Sequence, residues 1–365
     1  MTKILHIQPA LPRYRFDFFE RLHRRYAPDF KVVYSSGSLG ALTQPVTVDW
    51  AVMVGPMRRL PGGLLWQPGV VGLPIDRDDI VVLSGNPRQL STLLLLVRLW
   101  LKNARIIWWG HHWSSTSRRW RQILRYLPTA LADAVLLYTD VEVEAFRYDT
   151  VLRGRARFVT ALNNGIDIRP IRQLRRTYSA AQREPALLFI GRLTSKARLD
   201  LGLEALALLS KAAPVLHVIG DGDQRAMLHA RGRELGLESR IVWHGALTDE
   251  ARIAEVANRC RAFLYPGEVG LSLIHAMAYR LPAIVHDRPR LHMPEIAAFR
   301  DGVTGLSFTC GDARALAQTI ATLLAEATRL DGFAAAAAEV VGPSFTTEDM
   351  AARFEALVAR LEDAT

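Results

Sequence analysis

Short apolar segments alternate with longer amphipathic segments along the whole chain. The segments 16–26 and 89–101 have the periodicity of helices, and the alanine run 334–338 also predicts a helix. Strands that alternate with helices predict parallel sheets joined by right-handed crossovers. The runs typical of buried strands are KILHIQ, KVVYSS, DIVVLSG, ARIIWWG, DAVLLYT, ALLFIG, VLHVIGDG, RIVWHG, RAFLYPG and PAIVHD.

The alternation is interrupted at 169–186, RPIRQLRRTYSAAQREPA, which is polar, basic and without strand periodicity. This segment predicts a linker, and a chain of 365 residues is expected to form two domains. We therefore predict a first domain over 1–170 and a second over 171–345. The remaining stretch, 346–365, is predicted as a C-terminal helix that packs back on the first domain.

The formal net charge is +10, and the whole basic excess lies before residue 178. A basic half is suited to a nucleic acid, an anionic membrane or a phosphorylated substrate. The chain has no zinc-finger spacing, no RNP-like strand and no Lys-rich tail, so we predict no nucleic-acid partner. In Ser117–Leu127, apolar residues fall on one helical face with arginines around them. That pattern is typical of a helix on an anionic membrane, or of a surface helix that packs on its own core.

The compartment predicted from the sequence is the cytoplasm. Cys260 and Cys310 form no disulfide or metal pattern, which favours a reducing environment. The N-terminus is predicted as a first strand and not as a signal peptide. The longest apolar run, 93–101, contains Arg98 and is far shorter than the ~20 residues that span a bilayer.

Three strand ends in the second half carry residues suited to a phosphate or a nucleoside. A strand ends at Gly191 and is followed by Arg192 and Lys196 before a helix, which favours a diphosphate site, although loop cations are often only solvated. Another ends at Trp243 and His244, where backbone groups can contact a nucleobase. The third leads into YPGEVGLS, where glycines allow close approach to an anion and the helix is expected to begin near Ser272; the anion-site residues there are Gly267, Gly270 and Ser272.

In this order, GRLTSK, HVIGDGDQ, RIVWHGAL, YPGEVGLSLIHAMAYRLPAIVHD and DGVTGLSF resemble the C-terminal domain of retaining glycosyltransferases of the group 1, or family 4, type. The first half is similar only through QPALPRYRFDFFERL, GHHW and LNNGIDI. The resemblance implies the α/β GT-B fold, in which two Rossmann-like domains with parallel sheets face each other across a cleft.

The resemblance also implies roles for residues of the second half. Arg192 and Lys196 match the positions that bind the diphosphate of a nucleotide-sugar donor. With Gly270 and Leu271 aligned to the family's Gly-Leu, the usual two glutamates fall at Gly267 and His275. Glu268 lies one residue late, so we expect its side chain to point elsewhere unless the loop is rearranged.

We expect Gly267 to leave room, or to offer a backbone contact, for the donor sugar. His275 is expected to hydrogen-bond ribose hydroxyls through a ring nitrogen, or else to lie satisfied in the core.

In the first half the resemblance places a histidine near the donor sugar, with His111 favoured over His112. Arg13 or Arg15 is expected to supply charge near the diphosphate, unless these side chains only solvate or cap the next helix. The adjacent histidines do not predict a metal site, because no carboxylate or cysteine lies near them at ligand spacing.

The sequence thus predicts a retaining, metal-independent glycosyltransferase without a cofactor. It would transfer a sugar from a UDP- or GDP-linked donor to a glycan or a lipid-linked acceptor in bacterial polysaccharide or glycoconjugate synthesis. The predicted location is cytoplasmic, and peripheral at the inner face of the plasma membrane. The alternative is a non-catalytic nucleotide-sugar-binding protein with a degenerate transferase site.

Overall fold

The computed structural model describes residues 2–36, 48–112, 127–148 and 156–364. The chain forms two compact α/β units. The first comprises Met1–Asp167 and Thr347–Thr365, and the second comprises Ile168–Thr346.

The described part of the first unit contains a parallel sheet of seven strands in the order β3-β2-β1-β6-β7-β8-β9 and a short antiparallel pair, β4 with β5. Its strands are β1 Ile4–Gln8, β2 Phe30–Ser35, β3 Ala51–Val54, β4 Arg58–Arg59, β5 Leu65–Trp66, β6 Ile80–Ser84, β7 Arg105–Trp109, β8 Ala134–Leu137 and β9 Phe158–Ala161. Its helices are α1 Phe16–Tyr26, α2 Leu90–Leu101, α3 Asp140–Tyr148 and, from the end of the chain, α11 Thr347–Asp363.

Helices α1 and α11 cover one face of this sheet. α1 turns Phe18, Phe19 and Leu22 inward, and α11 adds Phe354 to the same buried cluster. The contact continues at its edge, where the Thr347 hydroxyl lies 2.5 Å from an Asp17 carboxylate oxygen. The last helix of the chain therefore completes the core of the first unit.

The second unit contains a parallel sheet of six strands, among its described residues, in the order β12-β11-β10-β13-β14-β15. The strands are β10 Ala186–Ile190, β11 Val215–Ile219, β12 Ile241–Gly245, β13 Ala262–Leu264, β14 Ala283–His286 and β15 Gly305–Phe308. The helices are α4 Arg169–Leu174, α5 Leu199–Leu208, α6 Arg225–Glu234, α7 Glu250–Ala257, α8 Leu271–Ala278, α9 Ala313–Ala325 and α10 Ala327–Ser344.

The α/β class and every strand predicted from an apolar run are confirmed. The linker prediction for 169–186 is wrong. α4 buries Ile171, the Tyr178 hydroxyl donates to the Arg261 carbonyl at 2.6 Å, and the buried Arg183 donates to two further carbonyls. Arginines and a tyrosine that satisfy buried carbonyls look polar in sequence, which is why this packed segment resembled a linker.

Candidate functional site

Two loops of the second unit meet where its strand order reverses. β10 lies between β11 and β13. After β10 the chain adds β11 and β12 on one side of it, and then β13, β14 and β15 on the other. Ligands of open parallel sheets bind beyond the carboxyl ends of the strands at such a point. The loop after β10 contains Arg192 and Lys196, and the loop after β13 leads through Gly267 to α8.

The structure brings the predicted diphosphate residues together with Glu268. The Lys196 ammonium lies 2.7 Å from a Glu268 carboxylate oxygen, and the Glu268 amide donates to the Lys196 carbonyl at 2.9 Å. Burial, opposed by the charge of Arg192 and reinforced by Glu268, raises the pKa of Tyr265 to about 12. Arg192 is exposed, and within the described ranges no carboxylate forms an ion pair with it. Arg192, Lys196 and Glu268 thus lie on these two adjoining loops.

Gly267 is fixed by close packing of the two loops. A Cβ at this position would lie 2.0 Å from the Lys196 carbonyl oxygen and 2.6 Å from the Ala197 carbonyl carbon. The side on which a side chain would project therefore holds backbone and leaves no room for a sugar. The same approach brings Glu268, one residue later, onto Lys196.

His292 holds the next part of the loop. Its Nδ1 accepts the Val269 amide at 3.1 Å, and its Nε2 lies 3.0 Å from the His286 carbonyl oxygen, which makes Nε2 the protonated nitrogen. Burial lowers the pKa of His292 to about 4, so the ring is neutral at physiological pH. α8 then begins at Leu271, one residue before the predicted start, and its N-cap residue is Gly270, which has no side chain to cap it. Among the described residues, the amides of Leu271 and Ser272 donate no hydrogen bond, so they can face an anion.

His275, one turn into α8, is bound to a carboxylate from another helix. Its Nε2 lies 2.8 Å from Oε1 of Glu250, and the Tyr279 hydroxyl donates to the same oxygen at 2.6 Å. Burial acts to raise the pKa of Glu250, but His275 and the Tyr279 hydroxyl outweigh it and hold that pKa below its ordinary value. Glu250 opens α7, at the edge where β12 ends, and its side chain is 28% exposed. An ionised carboxylate therefore stands beside the position where the sequence lacks one.

The side chains of Trp243 and His244 contact neighbouring elements of the second unit. Trp243 stacks on His229 with ring centroids 4.1 Å apart. His244 Nε2 lies 3.0 Å from Nδ1 of His217, and burial lowers the pKa of both histidines. A contact between backbone groups at this strand end and a nucleobase thus stays a prediction.

In the first unit the two predicted arginines differ sharply. Arg13 is exposed. Arg15 is buried, with its guanidinium 4.2 Å above the Trp109 ring and 3.3 Å from the Tyr138 hydroxyl. Of the two, Arg13 is the one whose charge faces solvent.

His111 and His112 follow β7 and also differ in exposure. The His111 side chain is 36% exposed and stacks on Tyr138 at 4.0 Å, whereas His112 is buried. Both contact Glu142, whose carboxylate lies 3.7 Å from Nδ1 of His111 and accepts the His112 amide at 3.0 Å. The expectation that no carboxylate lies near these histidines is wrong, because Glu142 of α3, distant in the sequence, lies beside them in the structure. No cluster of three or more metal-ligating side chains occurs in the described part of the chain.

The predicted membrane segment Ser117–Leu127 lies outside the described residues, except for Leu127. That leucine begins a 3-10 turn and is 67% exposed. In the described ranges, no helix combines the length and apolarity needed to cross a membrane.

Sequence reasoning missed Glu250, His292 and Glu142. Glu250 follows Asp249, which caps α7 through the Ala251 amide, so the pair resembled an ordinary acidic helix start. His292 lies in a short irregular stretch with no periodicity. The signal available for Glu142 was an acid near the start of the helix that follows the strand after GHHW.

Comparison with known proteins locates the family signal in the second unit. Residues 184–326 match the family model described as Glycosyl transferases group 1. A lipopolysaccharide 1,6-galactosyltransferase of Salmonella typhimurium is 33% identical over 76 residues, which are 20% of this chain and 21% of that protein. The chain thus spans about a fifth of the length of the curated relative that it matches.

Solved structures extend the likeness to the whole fold. HepE of Anabaena, determined in complex with UDP, superposes with a TM-score of 0.72 at 16% identity, covering 99% of this chain and 100% of that one. The lipopolysaccharide outer core galactosyltransferase WaaB, in its apo form, gives 0.66 at 15% identity, covering 98% and 99%. At such identities the likeness shows the fold, and it confirms the GT-B class.

Proposed function

From a second unit that matches the group 1 glycosyltransferases, we propose that the chain transfers a sugar from a nucleoside diphosphate sugar to a glycan or lipid-linked acceptor. The observation that carries the proposal is the corner formed by Arg192, Lys196 and the uncapped start of α8. All three present positive charge or N–H donors at the reversal of strand order. A diphosphate matches that arrangement in charge and in hydrogen-bond acceptors.

The chemistry follows from the leaving group. As the bond from the anomeric carbon to the diphosphate breaks, negative charge grows on the phosphate oxygens. The guanidinium of Arg192, the ammonium of Lys196 and the first amides of α8 stabilise that charge. Because these groups supply the positive charge, we propose transfer that needs no metal and no further cofactor, with retention at the anomeric carbon as the family resemblance implies.

We further propose that Glu250 contacts the ribose of the donor. Its Oε1 is taken by His275 and Tyr279, while its Oε2 has no hydrogen bond among the described residues. A carboxylate held by two donors is a fixed acceptor for sugar hydroxyls. His275 thus acts by positioning Glu250, and Glu268 acts as the resting partner of Lys196.

The acceptor and location are proposed from the relatives and the charge. The Salmonella relative and WaaB are named for lipopolysaccharide synthesis, which supports a glycan or lipid-linked acceptor in bacterial polysaccharide assembly. The net charge of +10, with its excess in the first half, favours the anionic inner face of the plasma membrane. Within the first unit, His111 is the exposed member of the histidine pair and remains the candidate for sugar contact.

Binding of donors tests the proposal. UDP-, GDP- and dTDP-sugars are screened by thermal shift against the wild type, Arg192→Ala, Lys196→Ala and Arg233→Ala, the last being an exposed arginine near the far end of α6. We expect at least one donor to raise the melting temperature in the wild type and the control, but not in the first two variants. Equal shifts in all four proteins contradict the site. Donor binding without turnover toward any acceptor favours the non-catalytic alternative.

A further inference from the structure

A cavity of about 300 Å³ lies in the second unit at the end of α8 opposite the donor loop. α8 begins beyond the carboxyl end of β13 and ends before the amino end of β14, so its two ends lie at opposite edges of the sheet. The cavity is lined by three arginines and one acid, Arg172, Arg175, Arg280 and Glu339, together with Ile168 and with apolar and small residues of α8 and α10. Its lining thus has an excess of two positive charges.

Arg280 takes an unusual backbone conformation to reach this cavity. Its φ is +63°, in the left-handed region that favours glycine. The Arg280 amide donates to the Met277 carbonyl at 2.8 Å, and the Leu281 amide donates to the Ala276 carbonyl at 3.1 Å. These two bonds form a Schellman motif, whose left-handed position is usually a glycine. A side chain other than glycine at such a position is a reason to look for its function.

The charges of the cluster are poorly compensated. The Nε of Arg280 is buried and has no hydrogen-bond partner among the described residues. Burial, together with the like charges of Arg280 and Arg172, lowers the pKa of Arg175. Arg175 does donate to the Ala278 carbonyl at 3.0 Å, which accounts for one of its five N–H groups. Capping of the α8 carbonyls therefore explains only part of this cluster.

We propose that Arg172, Arg175 and Arg280 form a second anion site, for a small phosphate-bearing ligand. Guanidinium groups bind phosphate oxygens through paired N–H donors, and three of them around one cavity match a phosphate or diphosphate. The cavity has the volume of a small-molecule site. The ligand is either a soluble phosphate compound or the headgroup of an anionic lipid, since both present the same oxygens. This site is separate from the donor loop and does not depend on the proposed function.

Inorganic pyrophosphate is the probe, titrated by calorimetry onto full-length Arg192→Ala/Lys196→Ala protein so that the proposed donor site does not contribute. We expect this protein to bind pyrophosphate, and its affinity to fall at least tenfold when Arg280→Gly or Arg172→Ala is added. Arg176→Ala, at an exposed neighbouring arginine, is the matched control and should leave the affinity unchanged. Arg280→Gly should not lower the melting temperature, because glycine suits the left-handed position. If Arg280→Gly lowers the affinity for pyrophosphate at an unchanged melting temperature, the loss is not caused by unfolding.

Vesicles distinguish the two sources of the phosphate. The same proteins are sedimented with phosphatidylglycerol vesicles and with neutral phosphatidylcholine vesicles. Sedimentation with the anionic vesicles that Arg280→Gly reduces at least tenfold identifies a headgroup, whereas pyrophosphate binding without sedimentation identifies a soluble ligand. The proposal is overturned if pyrophosphate and anionic vesicles both fail to bind, or if binding is unchanged by Arg280→Gly and Arg172→Ala.

Discussion

Replacement of Glu268 by Gln is expected to strengthen the binding of UDP or GDP by a small factor. Lys196 contacts Glu268 at 2.7 Å, so this carboxylate competes with a diphosphate for the ammonium. The Lys196 side chain is 70% exposed and that of Glu268 is 30% exposed, so water screens the pair. Exposed pairs of this kind contribute about 0.2–1 kcal/mol. Removing the competing charge should therefore raise the affinity about 1.5- to 5-fold.

Isothermal titration calorimetry of UDP and GDP measures this effect. Glu184→Gln is the matched control, because it neutralises another exposed ion pair of the same unit, with Arg259 at 2.8 Å, at the opposite edge of the sheet. The gain in Glu268→Gln should shrink as salt is added, and the control should show none. A loss of affinity of more than tenfold in Glu268→Gln would refute the reasoning, since Glu268 would then bind the donor itself.

Three further predictions address stability and the nucleoside. His6 is fully buried, and its ring has no hydrogen bond among the described residues; burial, together with the charge of Arg15, lowers its pKa to about 3, so the unfolded state binds the proton first. The contribution of His6 to stability is therefore lost as the pH falls from 6.5 toward 3, at about 1.4 kcal/mol per pH unit. Between pH 7.5 and pH 5.5, the free energy of unfolding measured in urea should fall by about 1.4 kcal/mol less for His6→Leu than for the wild type. Glu250→Gln should weaken the binding of UDP about tenfold in calorimetry and abolish any preference for UDP over 2′-deoxy-UDP. An equal preference for UDP in the wild type and in Glu250→Gln contradicts a ribose contact. Gly267→Ala should cost about 1–3 kcal/mol in a thermal melt and weaken UDP binding, because its Cβ would lie 2.0 Å from the Lys196 carbonyl; an unchanged melt contradicts the close packing.

The sequence predicted the parts of the fold that have strong local signals. Apolar runs such as ALLFIG and RIIWW became buried parallel strands, because they fill the centre of a sheet covered on both faces. β3 was missed, since an edge strand with the exposed side chains Val52 and Met53 lacks the continuous burial that marks the central strands.

The candidate site was predictable only where its residues follow strand ends. Arg192 and Lys196 could be found because the loop after a parallel strand has a known place at the sheet edge. Glu250 could not be found in this way, since it is 25 residues from His275 in the chain and their contact depends on how two helices pack. The role of Gly267 was likewise decided by the backbone of Lys196 and Ala197, which no local pattern places opposite it.

Nucleotide release from a panel of donor sugars tests the central claim most directly. Purified wild type and the Arg192→Ala/Lys196→Ala variant are incubated with UDP-, GDP- and dTDP-sugars, with and without lipid-linked and glycan acceptors, and released nucleoside diphosphate is quantified. We predict release from at least one donor in the wild type and at least a hundredfold slower release in the variant. Release at equal rates from both proteins would contradict the assignment of Arg192 and Lys196 as the groups that stabilise the leaving diphosphate.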